Sequence, residues 1–292
     1  NKDKLFLLVF SGLILSFILL RFYRFNDFGN DVPAHLLAFL SCIIFFEILL
    51  SKKNNFNNFL LLSILASLAF LSKISLLTLF ILPLFIMFSK KIRLKEIINF
   101  KFLSIFFIFF SIFFIKNIII SGCVIYPVKI SCVEGVVWYP KNYNDHANVE
   151  KRNFELKYRS RGYSDYVTDK IDKKLSKSEY IQDFNWINTW FKTNFFNKTL
   201  KNIFIFCLFI FIIFLFNFKN FNKKNNQKDL NSKYKFFFLS YLSIGILFWF
   251  FTAPNYRYGV FYIFMPLIFY LSLLFDQRVK FIISFVKYSI LF

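Results

Sequence analysis

Apolar runs alternate with short charged or amide-rich breaks along the whole chain, and the period of that alternation predicts helices at about 5–20, 34–50, 59–72, 76–88, 102–120, 203–218, 236–251 and 260–275. Several of these runs reach or approach the roughly 20 residues that cross a bilayer's hydrocarbon layer. The third and fourth are short, and read either as two helices or as one helix broken at Ser72–Ser75, with Pro83 as a kink that neighbouring groups can satisfy. Ser89 to Lys101 interleaves Ile92, Ile97 and Ile98 with cations and reads as an amphipathic helix lying in the interface. The stretch from Phe281 to Phe292 is too short to span alone. The first run follows Lys2 and Lys4, but bulky Leu20, Phe22 and Tyr23 stand where a signal peptide would carry a small-residue cleavage site, so it reads as a retained helix.

The predicted fold is therefore all-α, a polytopic membrane helix bundle of about eight or nine transmembrane helices with one outer polar loop domain. It divides into membrane helices at 1–121, a polar segment at 122–201 and membrane helices at 202–292. Within the polar segment Trp186 and Trp190 stand one helical turn apart, near Phe191, Phe195 and Phe196. Such a helix either lies at headgroup depth or packs within the outer domain.

Composition agrees with the pattern. The chain is 57% hydrophobic, with 49 Phe, and its net charge is +21. In a soluble protein that charge would suggest nucleic acid; here its placement argues for membrane topology. With the N-terminus inside, the inner loops at 1–4, 51–58, 89–101, 219–235 and 276–280 carry 17 Lys or Arg against four acids, whereas the polar stretch 122–200 carries 13 against nine. The positive-inside bias then places the N-terminus in the cytoplasm and 122–201 outside. No nucleic-acid partner is expected.

Two breaks carry charge that a bilayer rejects unless it has a partner or a task. Arg21 to Pro33 holds Arg24, Asp27 and Asp31; Thr252 to Gly259 holds Arg257 between Tyr256 and Tyr258. The orientation puts both breaks, and Lys73, on the outer side. Asp27 and Asp31 are one turn apart, a spacing that suits a general base or a divalent cation such as Mg or Mn. The competing reading is that both cap the second helix: Asp31 before Pro33 suits a cap as well as it suits catalysis, and Asp27 suits a cap better. Arg24, Lys73 and Arg257 are candidate phosphate contacts, and a snorkelling role competes with that reading. His35 reads as a hydrogen-bonded interior histidine rather than a base. Cys123 and Cys132 flank a short loop with a Tyr126–Pro127 turn on the outer side, where an oxidising medium would allow a disulfide. Cys42 and Cys207 fall inside apolar runs. No P-loop, dinucleotide-binding glycine pattern, HExxH or nucleophile elbow is present.

Three stretches carry a family resemblance: SILASLAFLSKIS from Ser63 to Ser75, KNIIISGCVIYP from Lys116 to Pro127, and APNYRYG from Ala253 to Gly259. Together they resemble the bacterial GT-C-like membrane glycosyltransferases, and in particular a family of uncharacterised membrane proteins with paired cysteines beside a Tyr-Pro. The resemblance implies a polyprenyl-phosphate sugar donor, a glycan acceptor and a role in cell-surface glycan assembly. The superfamily's catalytic acid lies in the first outer loop, where this chain offers Asp27 and Asp31. FGNDVPAH is more similar to a later acidic loop of longer relatives, so the carry-over is limited to Asp31 as an acceptor or metal contact and Arg257 as a phosphate contact. Two other classes stay open: a polymerase or ligase of lipid-linked glycan, and a non-enzymatic transporter or flippase. A transporter would show internal repeats and midplane polar residues.

Overall fold

A computed structural model describes residues 2–21, 31–51, 56–89, 100–126, 128–133, 146–163, 175–216 and 230–275. Among them every regular element is helical. α1 spans Lys2–Arg21, α2 Asp31–Leu50 and α3 Phe56–Ser72; a 3₁₀ segment, Ile74–Phe80, leads into α4, Ile81–Phe88. α5 is Phe100–Ser121, α6 His146–Ser160 and α7 Lys177–Ile181. α8, Ile187–Trp190, runs through π-helical Phe191–Leu200 into α9, Lys201–Phe216. α10 is Ser232–Thr252 and α11 is Tyr256–Phe275. Among the described residues five helical stretches are long and apolar enough to cross a membrane: Lys4–Arg21, Asp31–Leu50, Ile187–Ile212, Ser232–Thr252 and Tyr256–Leu274. Phe56–Ser72, Ile74–Phe88 and Phe107–Ser121 are apolar but shorter. The expected interfacial helix at 89–101 and the stretch 281–292 fall almost wholly outside the described residues.

The apolar pattern places the helix starts three or four residues too late. α2 begins at Asp31, α10 at Ser232 and α11 at Tyr256. In each case the helix opens on polar groups, and α10 and α11 are capped by a side chain. Asp31 is an acid in the first turn, where the helix dipole favours it. The Asn231 side chain accepts from the Lys233 N–H, and Asn255 Oδ1 accepts from the Arg257 N–H at 3.0 Å. Such caps satisfy orphan donors that hydropathy does not register. Between α3 and α4 the chain breaks at Lys73, whose extended backbone (φ −155°, ψ 113°) ends one helix before the 3₁₀ turn starts.

In a bilayer, lipid tails are as apolar as Phe, so packing, aromatic geometry and interhelical polar contacts hold helices together. One end of the bundle is an aromatic cluster. Phe6 and Phe10 of α1, Phe46 of α2, Phe238 of α10 and Phe269 of α11 meet with ring centroids 4.7–6.5 Å apart; such pairs contribute about 0.5–1.5 kcal/mol each. α2 and α3 approach through small residues: Ala34, Ala38, Ser41 and Cys42 on one helix, Ser63, Ala66, Ser67 and Ala69 on the other, all buried. The serines return their hydroxyls to their own helix, Ser63 to Phe59 O and Ser67 to Ser63 O. α10 and α11 meet at two glycines. A Cβ at Gly245 would run into the Tyr262 ring, and one at Gly259 into the Trp249 indole.

The aromatic cluster joins the start of α1 and α10 to the end of α2 and α11. The opposite end therefore gathers the end of α1, the start of α2, the end of α10 and the start of α11. Both polar breaks lie there.

The segment carrying Trp186 and Trp190 does not lie on a surface. Both indoles are buried, against Phe250 at ring distances of 5.4 and 5.1 Å. The helix expected from about 203 begins at Ile187 and is continuous through the π-helical turns to Ile212.

Candidate functional site at the two breaks

Asp31, Lys73 and Arg257 are remote in sequence and meet at this end of the bundle. α2 opens with Asp31, the break after α3 presents Lys73, and the first turn of α11 carries Arg257. Lys73 Nζ lies 2.7 Å from Asp31 Oδ1. Arg257 Nε and Nη2 both donate to Asp31 Oδ2, at 2.7 and 2.6 Å. The carboxylate thus bridges two cations, one oxygen to each. Side-chain exposure separates the cations: 9% for Lys73, 13% for Asp31 and 52% for Arg257. The guanidinium is the accessible face of the cluster.

The Tyr-Arg-Tyr sequence is read by three different elements. Arg21, the last residue of α1, donates to Tyr256 Oη at 3.1 Å and lies 5.3 Å from the ring centroid. Lys73 lies 4.3 Å above the Tyr258 ring, a cation–π contact. It also donates to Arg257 O at 3.2 Å. His35, one turn into α2, meets the same carbonyl through Nε2 at 2.8 Å. A carbonyl only accepts, so Nε2 carries the proton in this geometry.

Backbone freed by a helix break must be satisfied by protein at membrane depth. Here indole and guanidinium groups do it. Arg161 Nη2 donates to Phe251 O at 3.1 Å, Trp190 Nε1 to Pro254 O, and Trp249 Nε1 to Asn255 O at 2.9 Å. Arg161 closes the C-terminal end of α6, stacks 5.1 Å over Trp186 and accepts the Tyr180 hydroxyl at its own carbonyl. The polar segment is thereby pinned to the break that carries Arg257.

Among the described residues, Lys73 and Arg257 share the Asp31 carboxylate, and Arg21 reaches the neighbouring Tyr256 hydroxyl. Burial lowers the Lys73 ammonium from 10.5 to about 8, although Asp31 pulls it back up. A metal would compete for oxygens that the two cations already hold, and among the described residues no group of three or more His, Cys, Asp or Glu gathers.

Of the residues singled out from the sequence, Asp31, Lys73 and Arg257 are brought together. Asp27 and Arg24 lie outside the described residues. Cys123 and Cys132 are joined by a disulfide with S–S 2.07 Å, which packs with Val149 and Tyr126 away from the ion cluster. Arg21, Arg161, Trp190 and Trp249 were not singled out as members of this site. Arg21 and the flanking tyrosines could have been found from the Tyr-Arg-Tyr spacing, because three consecutive residues at a helix start face three directions. Arg161 left no comparable signal.

A family model described as Domain of unknown function (DUF8201) matches residues 1–264, and the chain belongs to that family. No curated protein and no solved structure matches it.

Proposed function

Starting from a DUF8201-family protein with an Asp31–Lys73–Arg257 ion cluster at one end of its helix bundle, we propose a GT-C-like glycosyltransferase that uses a polyprenyl-phosphate sugar in cell-surface glycan assembly. The observation that carries this reading is the half-exposed Arg257 guanidinium, held by Asp31 beside buried Lys73. A guanidinium so oriented suits a phosphate oxygen, and the bundle end suits a ligand whose tail lies in the bilayer.

In the proposed reaction an acceptor hydroxyl attacks the anomeric carbon, a new C–O bond forms, and the bond to the donor phosphate breaks. The electron pair leaves on the phosphate, where Arg257 and Lys73 stabilise it. Asp31 holds both cations, so its role is to position them. The hydroxyl proton passes to a second carboxylate, and Asp27 of the same break is our assignment. The site faces the extracytoplasmic side of a bacterial inner membrane, in keeping with the loop charges.

Binding of polyprenyl phosphate to purified protein in nanodiscs tests the phosphate seat. Arg257→Ala is expected to weaken it at least tenfold, about 1.4 kcal/mol, with Arg257→Lys in between. Equal affinity in all three proteins removes the assignment. Asp27→Asn should abolish sugar transfer while leaving that binding intact. The broken helix at Lys73 favours a transporter as the second reading; wild-type protein that moves the lipid across vesicles without consuming its sugar would establish it.

A further inference from the structure

α5 ends at Ser121, and within two residues the chain enters the loop closed by Cys123 and Cys132. This loop is rigid. Val124 N–H bonds to Ser131 O, Val133 N–H to Gly122 O, and the Ser131 hydroxyl bridges to Ile125 and Val128. Yet it turns branched apolar side chains outward: Ile125, Val128 and Val133 are exposed, and Ile130 is 94% exposed. A loop in water has no reason to present four aliphatics on a disulfide-bonded scaffold.

The helix below it shows what covers them. Ile108, Ile112, Ile115 and Ile119 of α5 are all exposed and fall on one stripe at helical spacing, the mark of a lipid-facing surface. Lys116 is exposed beside that stripe, and a lysine there snorkels to the headgroups. Ser121 lies about 7–8 Å further along the axis. The headgroup layer of one leaflet is about 5–8 Å deep. The loop therefore emerges within that layer, with its aliphatics continuing the stripe.

We propose that the Cys123–Cys132 loop is a lipid-surface anchor, its Ile125, Val128 and Ile130 side chains seated in the headgroup layer of the leaflet that α5 reaches. The loop also packs on Val149 and pairs Lys129 with Glu150 at 2.8 Å, both on α6. α6 ends beside Arg161, which holds Phe251 O. Seating the loop thus sets the height of α6 above the bilayer, and with it the break that carries Arg257. This inference is independent of the glycosyl-transfer reading.

The test places p-benzoylphenylalanine at position 130 of the full chain in phosphatidylethanolamine–phosphatidylglycerol vesicles, followed by irradiation and mass analysis. Position 112 on the α5 stripe serves as the lipid reference, and position 178, exposed on the polar segment, as the aqueous one. A phospholipid adduct at 130 with at least half the yield at 112 is expected. A yield no higher than at 178, or an adduct to a second protein chain, overturns the anchor; the latter makes the loop a protein-docking surface. Position 128 repeats the measurement should the first variant fold poorly, with the same criteria.

Discussion

Asp31 carries much of the site's energetics, because one carboxylate pairs with both Lys73 and Arg257. Removing one member of a buried charge group leaves the others uncompensated, at about 3–5 kcal/mol. Arg257 is half exposed and can turn to water, so the low end applies. Asp31→Asn is expected to cost about 3 kcal/mol in thermal or denaturant unfolding, mostly through Lys73. Asp31→Asn combined with Lys73→Met should recover at least half of that loss, as a double-mutant cycle would show. Additive losses would mean the two residues are not coupled. The pH dependence follows from the lysine. Its folded value, about 8, lies below its ordinary 10.5, so between these limits the unfolded chain binds more protons than the native one. Stability on this account rises with pH across that window and is lowest below pH 8. Anion binding should move the other way, falling above pH 8 as Nζ loses its proton. A titration of lipid-phosphate affinity checks it, and Lys73→Met should remove the alkaline fall.

Elements meet here through a few close approaches. Gly259 lets α10 and α11 touch where Trp249 crosses, and Trp249 in turn holds Asn255 O, whose side chain caps α11. Gly259→Ala forces the indole aside and frees that carbonyl. The expected cost is about 1–3 kcal/mol, with Arg257 displaced, read as a lowered melting temperature and weaker lipid-phosphate binding together. Trp190→Phe keeps the ring packing but deletes the donor to Pro254 O, leaving a buried carbonyl unsatisfied at about 1–3 kcal/mol. If Trp190→Phe matches wild type in both measurements, the indole is only filling space. The apolar runs made these helices readable from the sequence to within a turn. Their polar first turns were not readable, because a cap gains its energy from hydrogen bonds rather than from hydropathy. The Trp186–Trp190 turn was ambiguous for a related reason. Amphipathic indoles suit both a membrane interface and a buried carbonyl, and only the presence of Phe250 and Pro254 O alongside decides between them.

Across the described residues, the polar segment is joined to the helices by the disulfide-closed loop at α5, by Arg161 on Phe251 O, and by Trp186 and Trp190 against Phe250 and Pro254 O. Closing a loop of about ten residues stabilises by about 2–3 kcal/mol in the chain-entropy view. Cys123→Ser with Cys132→Ser should therefore open the region between 122 and 163 to protease while the membrane helices stay protected, as mass mapping of the fragments would show. An impermeant thiol reagent added to intact cells after mild reduction should label Cys123 and Cys132 if that side faces out. Labelling seen only after lysis would reverse the proposed orientation.

Hydropathy and charge by themselves determined an all-α chain with helices long and apolar enough to cross a membrane, separated by polar breaks. A bilayer rejects unpaired charge and unsatisfied backbone so strongly that the pattern survives in one dimension. They also drew attention to Asp31, Lys73 and Arg257, as charges out of place among apolar neighbours. What only the tertiary structure decided is that one carboxylate serves both cations, that Arg257 is the exposed one, and that Arg161 and two indoles hold the backbone beneath it. Those pairings join residues up to 226 positions apart. They depend on which helices lie side by side, and that is set by the fit of small residues and aromatic rings between helices, which no single helix records.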